Sequence, residues 1–137
     1  GQVRMQHWID SVGYGNQVIG DSIDWFWLDG PLMIRPYEQV YFIKDLVNEA
    51  LPFDKAVQRQ VKDIALVEAT PDYRLHAKTG LTRANPDHIG WYVGWVEHAA
   101  GIHAFALNAQ VPSLEQRTLR QAITHAILQH ENIIPTP

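Results

Sequence analysis

No cysteine occurs among the 137 residues, so neither a disulfide framework nor a thiolate metal site can be built, and the redox compartment is left open. Long apolar runs are missing as well. Nothing approaches the roughly 20 apolar residues of a membrane span, and the opening Gly1-Gln2-Val3-Arg4-Met5-Gln6 has no apolar signal core. The chain as given therefore reads as soluble, and as mature or cut. Positive charge is sparse: 11 Lys and Arg face 15 Asp and Glu, for a net charge of -4 at pH 7. No basic cluster falls on any predicted face, which excludes a nucleic-acid footprint. Serine is limited to Ser11, Ser22 and Ser113, and there are no internal repeats, low-complexity tracts or linkers. What the chain does have is 46% apolar residues and five Trp, enough to fill the core of one domain.

Apolar residues at positions 5, 8, 9 and 12 predict a helix over 3–12 that stops at Gly13, with Tyr14-Gly15-Asn16 as a loop. Residues 23–34 are rich in aromatic and aliphatic groups but broken by Asp29-Gly30-Pro31, which predicts a buried, irregular segment. Pro36 suits a first helical turn, and Val40, Ile43, Leu46, Val47 and Ala50 extend that helix to about 50, where Leu51-Pro52 ends it. A second helix is predicted over 54–66, with Val57, Val61, Ile64 and Ala65 as its stripe. The runs 73–77, 89–97 and 102–108 read as three antiparallel strands, the last two joined by a turn at Ala99-Ala100-Gly101. Pro112-Ser113 opens a final helix to about 131, with Ser113 as its cap and Leu119, Ala122, Ile123, Ala126 and Ile127 on one face; Pro135 and Pro137 close the chain. Helices, strands, then a packing helix make an α+β fold.

Two tripeptides carry chemistry. Lys78-Thr79-Gly80, at a strand end, offers a cation, a hydroxyl and a bare backbone to one ligand. Alone it is weak, since Thr-Gly is also an ordinary turn pair. Tyr14-Gly15-Asn16 is equally weak alone, because Gly-Asn is a common turn and a Tyr more often packs than reacts. Their order along the chain makes the combination informative.

With Gly13-Tyr14-Gly15-Asn16-Gln17, Phe26-Trp27-Leu28-Asp29-Gly30-Pro31-Leu32, Glu38-Gln39-Val40, Lys78-Thr79-Gly80, Gly90-Trp91-Tyr92-Val93-Gly94-Trp95-Val96-Glu97 and Leu119-Arg120-Gln121-Ala122-Ile123, the chain resembles the class D, OXA-type serine β-lactamases. The resemblance implies part of the serine β-lactamase/transpeptidase-like fold and β-lactam hydrolysis through an acyl-serine, in the bacterial periplasm, with a carboxylated lysine as base. By position it implies that Lys78 supports proton traffic near the nucleophile and that Thr79 binds the substrate carboxylate. Gly80 keeps the strand open, and the Leu81 backbone N–H serves the oxyanion hole, although many relatives have an aromatic there. Arg120 resembles the arginine that grips the drug's carboxylate. Trp27 resembles the tryptophan that holds the lysine carbamate, and Leu28 its water-limiting neighbour.

The departure from that pattern is as informative. The family's Ser-x-x-Lys and Ser-x-Val are absent: three positions after the three serines stand Tyr14, Trp25 and Gln116. No serine here can be the nucleophile. The resemblance therefore implies the C-terminal half of one catalytic domain, residues 1–137, inactive by itself. Its partner would be the N-terminal half, as a separate chain or segment, bearing the lysine that CO2 converts to the carbamate. No cofactor, nucleic acid or membrane partner is expected of this chain, and a homodimer is left open. The alternatives are a β-lactam-sensing receptor domain acylated without turnover, and an inactive fragment. Seven histidines invite a metal reading, but His125 and His130 are off the i, i+4 face and His98 and His103 flank a turn, so no metal is expected. Trp91, Val93 and Trp95 share a strand face, where packing is the default, as it is for Trp25.

Overall fold

The computed structural model describes residues 1–82, 88–111 and 113–136. Pro112, Pro137 and residues 83–87 of the loop between the second and third predicted strands lie outside the described residues.

Gly13, in the left-handed region at φ 61°, closes the first helix, α1 (Gln2–Val12). Helix α2 (Pro36–Val47) starts at the proline, and Glu38 Oε2 accepts from the Arg35 N–H at 2.8 Å. Helix α3 (Lys55–Ile64) is capped by Asp54, whose carboxylate accepts from Ala56 and Val57. Four strands follow as one antiparallel sheet in sequence order: β1 (Leu66–Ala69), β2 (Tyr73–Leu81), β3 (His88–His98) and β4 (Gly101–Val111). A 3-10 turn (Leu114–Thr118) leads to α4 (Leu119–His130).

The α+β class holds, with one strand more than the three-strand expectation. Leu66-Val67-Glu68-Ala69 is too short for its period to distinguish strand from helix, and pairing with Arg74–His76 decides it. Strand β2 also runs past Ala77 to Leu81, so Lys78-Thr79-Gly80 lies within a ladder to β3. Ser113 makes no capping bond, and the helix begins six residues later than Ser113.

The larger correction concerns which helix faces turn inward. In α4 the buried residues are Arg120, Thr124 and Leu128, whereas the apolar stripe Leu119, Ile123 and Ile127 is 50%, 45% and 51% exposed. In α3 only Gln58 is buried, tied to Leu51 and Phe53 backbone, while Val57, Val61 and Ile64 are exposed. Of the segment 23–34, expected to be buried, only Phe26 is. One core cluster joins Tyr73, Leu75 and Val96 of the sheet to Leu128 and Ile134.

Candidate active site

Strand alternation sets the site. Cross-strand pairs His76–Trp95, Lys78–Val93 and Gly80–Trp91 share one sheet face, and Thr79, Leu81, Gly90 and Tyr92 take the other. Over the first face, between α2, α3 and the 27–34 segment, opens a cleft of about 730 Å³. Tyr14, Trp27, Leu28, Lys78, Thr79 and Gly80 are all on its wall, so residues from three distant stretches meet there.

The cleft wall is mostly apolar, contributed by Phe42, Ile43 and Leu46 of α2 and by Trp91, Val93 and Trp95. Trp27 is 53% exposed there, its ring edge-on to buried Phe26 at 4.8 Å. Lys78 is exposed, and its Nζ donates to its neighbour's carbonyl, Thr79 O, at 2.8 Å. The Tyr14 hydroxyl donates to Gln39 Oε1 at 2.6 Å; burial of the phenol pushes its pKa up, against the lowering effect of Gln39. Gln39 is itself a buried wall residue, and its pairing with Tyr14 is what the sequence did not signal.

Tyr14-Gly15-Asn16 builds the wall more than it faces a ligand. Gly15 is left-handed at φ 56°, and a Cβ there would fall on the Met33 carbonyl oxygen. Asn16 Nδ2 donates to Pro31 O at 2.8 Å, while its Oδ1 accepts from Val18 N and Met33 N. The motif thus stitches the 31–33 chain, and with it the Trp27 segment, to the first loop.

The edge beside Lys78-Thr79-Gly80 is open because β1 is short. The Ala77 N–H donates to Ala65 O at 2.8 Å, towards the β1 side, and the Thr82 N–H donates to Ile89 O at 3.0 Å, towards β3. Alternation then sends the Thr79 and Leu81 N–H groups to the β1 side, beyond the last β1 pair at His76. Backbone donors on an edge that no described strand covers can bind an anionic or carbonyl oxygen.

Arg120 is not on the cleft wall. It is 6% exposed, on the opposite sheet face, and its Nη1 donates to the Gly80 carbonyl and, at 3.4 Å, to Trp91 O. Burial, then the Arg117 charge, lowers its pKa from the ordinary arginine value. Gly90 makes this reach feasible, a residue that sequence reasoning placed only within a longer matching segment. Trp95 is buried and stacks on buried His76 at 4.5 Å, whereas Trp91 is half-buried on the cleft wall. Among the described residues no group of three or more His, Asp or Glu is placed to hold a metal, and His98 Nε2 lies 3.0 Å from His103 Nδ1 instead.

The penicillin binding protein transpeptidase domain family matches residues 1–129. The chain belongs to that family. Its relatives are OXA-type: it is 41% identical over 135 residues to Beta-lactamase OXA-48 of Klebsiella pneumoniae, across 98% of this chain and 51% of that protein. It is 39% identical over 138 residues to Beta-lactamase OXA-10 of Pseudomonas aeruginosa, across 98% of this chain and 52% of that protein. Among solved structures, FUS-1 (OXA-85), a class D β-lactamase from Fusobacterium nucleatum subsp. polymorphum, superposes with a TM-score of 0.92 at 40% identity. The superposition covers 98% of this chain and 56% of that one. The transpeptidase-family chain thus spans about half the length of its relatives.

Proposed function

We propose that this chain is the C-terminal half of a class D serine β-lactamase that hydrolyses β-lactams through an acyl-serine, with the nucleophile supplied by an N-terminal half. The observation that carries this reading is that Lys78, Gly80 and Trp27 share one cleft bordered by an open strand edge, in a chain about 40% identical to OXA enzymes throughout. The three serines of the chain offer no Ser-x-x-Lys, so the reactive hydroxyl comes from elsewhere. The exposed stripes of α3 and α4 support a covering partner, because apolar faces of that length are seldom left to water.

In this reading Lys78 supplies positive potential beside the nucleophile and Thr79 serves the substrate carboxylate; Arg120, to which the resemblance gives the same task, is buried on the far sheet face away from the cleft wall. The Leu81 N–H stabilises the oxyanion, and Leu28 limits water. A carboxylated lysine on the other half, formed with CO2, supplies the general base; Trp27, half-exposed on the cleft wall, fits as the donor that holds it. The location is periplasmic.

The test is to join this chain to a class D N-terminal half bearing Ser-x-x-Lys and assay nitrocefin. Catalytic turnover supports the reading. A stable stoichiometric acyl-adduct assigns the domain to a β-lactam sensor instead, and no reaction at all leaves an inert fragment.

A further inference from the structure

The peptide joining Gly80 to Leu81 is gripped on one side and, among the described residues, faces no strand on the other. Its carbonyl oxygen accepts from Arg120 Nη1. Its N–H, belonging to Leu81, points the opposite way because the peptide is planar and trans, and that direction is the strand edge beyond β1.

Arg120 reaches that carbonyl through a gap in the sheet face. A Cβ on Gly90 would lie 2.5 Å from Arg120 Cδ and 2.6 Å from Val111 Cγ2, so any side chain at 90 displaces the arginine stem. The Arg120 Nε is bonded to Arg117 O at 2.7 Å, which fixes the guanidinium plane in that passage. A charged donor on a peptide oxygen makes a strong bond, and in a low-dielectric site such bonds polarise the next one along. Both the direction and the donor strength of the Leu81 N–H therefore depend on a residue on the far face of the sheet.

We infer that Arg120, seated through the gap at Gly90, is a positioning residue that orients and polarises the Leu81 N–H towards a developing oxyanion, a role separate from holding a substrate carboxylate. This rests on the β-lactamase reading and deepens it.

The experiment uses the chain joined to its N-terminal half, with Gly90→Ala, which keeps the guanidinium but moves it, and Arg120→Ala, which removes it. The first readout needs no substrate. The Leu81 amide proton signal, recorded by NMR in the free protein, should shift upfield in both variants. The second readout compares a β-lactam with its carboxylate methyl ester. Loss of orientation at one oxyanion donor should lower kcat about tenfold on both compounds in Gly90→Ala, with KM within about twofold. An unmoved Leu81 amide in both variants, or a loss seen only with the free carboxylate, overturns the inference. If Gly90→Ala does not fold, Arg120→Ala supplies both readouts. If the wild-type assembly hydrolyses neither compound, the β-lactamase reading fails, while the Leu81 amide shift still decides the role of Arg120.

Discussion

Asn16 and Met33 are bonded twice: the Asn16 N–H donates to Met33 O at 2.9 Å, and the Met33 N–H donates to Asn16 Oδ1 at 3.0 Å. The side chain adds a donor to Pro31 O at 2.8 Å. Asn16→Ala removes the side-chain bonds and should cost about 1–3 kcal/mol in the joined protein, within the range for hydrogen bonds whose partners are left unmade. Urea unfolding checks this, and an unchanged midpoint would show that the stitch is dispensable.

Gly15→Ala tests the same junction through the backbone. A left-handed φ of 56° and a Cβ falling on the Met33 carbonyl oxygen act together. The cost should be about 2–3 kcal/mol or more. A variant as stable as the parent would disprove the close approach of the two segments.

Gly80 behaves differently. A Cβ there would meet only the Trp91 side chain, no nearer than 3.4 Å, an ordinary contact, while projecting from the cleft face. Gly80→Ala should therefore leave stability within about 0.5 kcal/mol and raise KM for β-lactams. Unfolding curves and steady-state kinetics read the two effects separately; equal KM values would mean that no ligand passes that strand.

Trp27→Ala should make turnover by the joined protein depend on added bicarbonate, since the lysine carbamate loses its proposed donor. The ¹³C carbamate signal should weaken in parallel. Bicarbonate independence would remove Trp27 from that role.

Glu49, which is not on the cleft wall, provides a pH test. Hydrogen bonds from Arg59, then from Lys62 at 2.8 Å, hold its carboxyl down from 4.5 to about 2. A depressed carboxylate stabilises the fold above its unfolded pKa and loses that contribution as pH falls through the folded one. Stability owed to Glu49 should thus be complete above about pH 5 and drain away between there and about pH 2. Glu49→Gln should flatten the acid limb of the unfolding profile; an identical limb in both proteins contradicts the coupling.

Much of the site was legible because its chemistry sits in short contiguous motifs. Lys78-Thr79-Gly80 and Trp27-Leu28 are where the sequence points, and both wall the cleft. The role of Tyr14-Gly15-Asn16 was less so, because a turn signal says nothing of the Met33 carbonyl that makes Gly15 obligatory. Gly90 carried no signal of its own, since its meaning lies in an arginine 30 positions later.

Periodicity, turn residues and motif order determined the helices in outline, three of the four strands, the α+β class and the cation, indole and backbone offered to a ligand. The tertiary structure alone decided which helix faces turn inward, the open edge left by a four-residue β1, and the seating of Arg120 under Gly80. The reason is physical: local spacing fixes which side chains share a face, but burial of that face depends on surfaces distant in the chain. In α3 and α4 the surfaces that took the inward position met Gln58, Arg120, Thr124 and Leu128, not the apolar stripes.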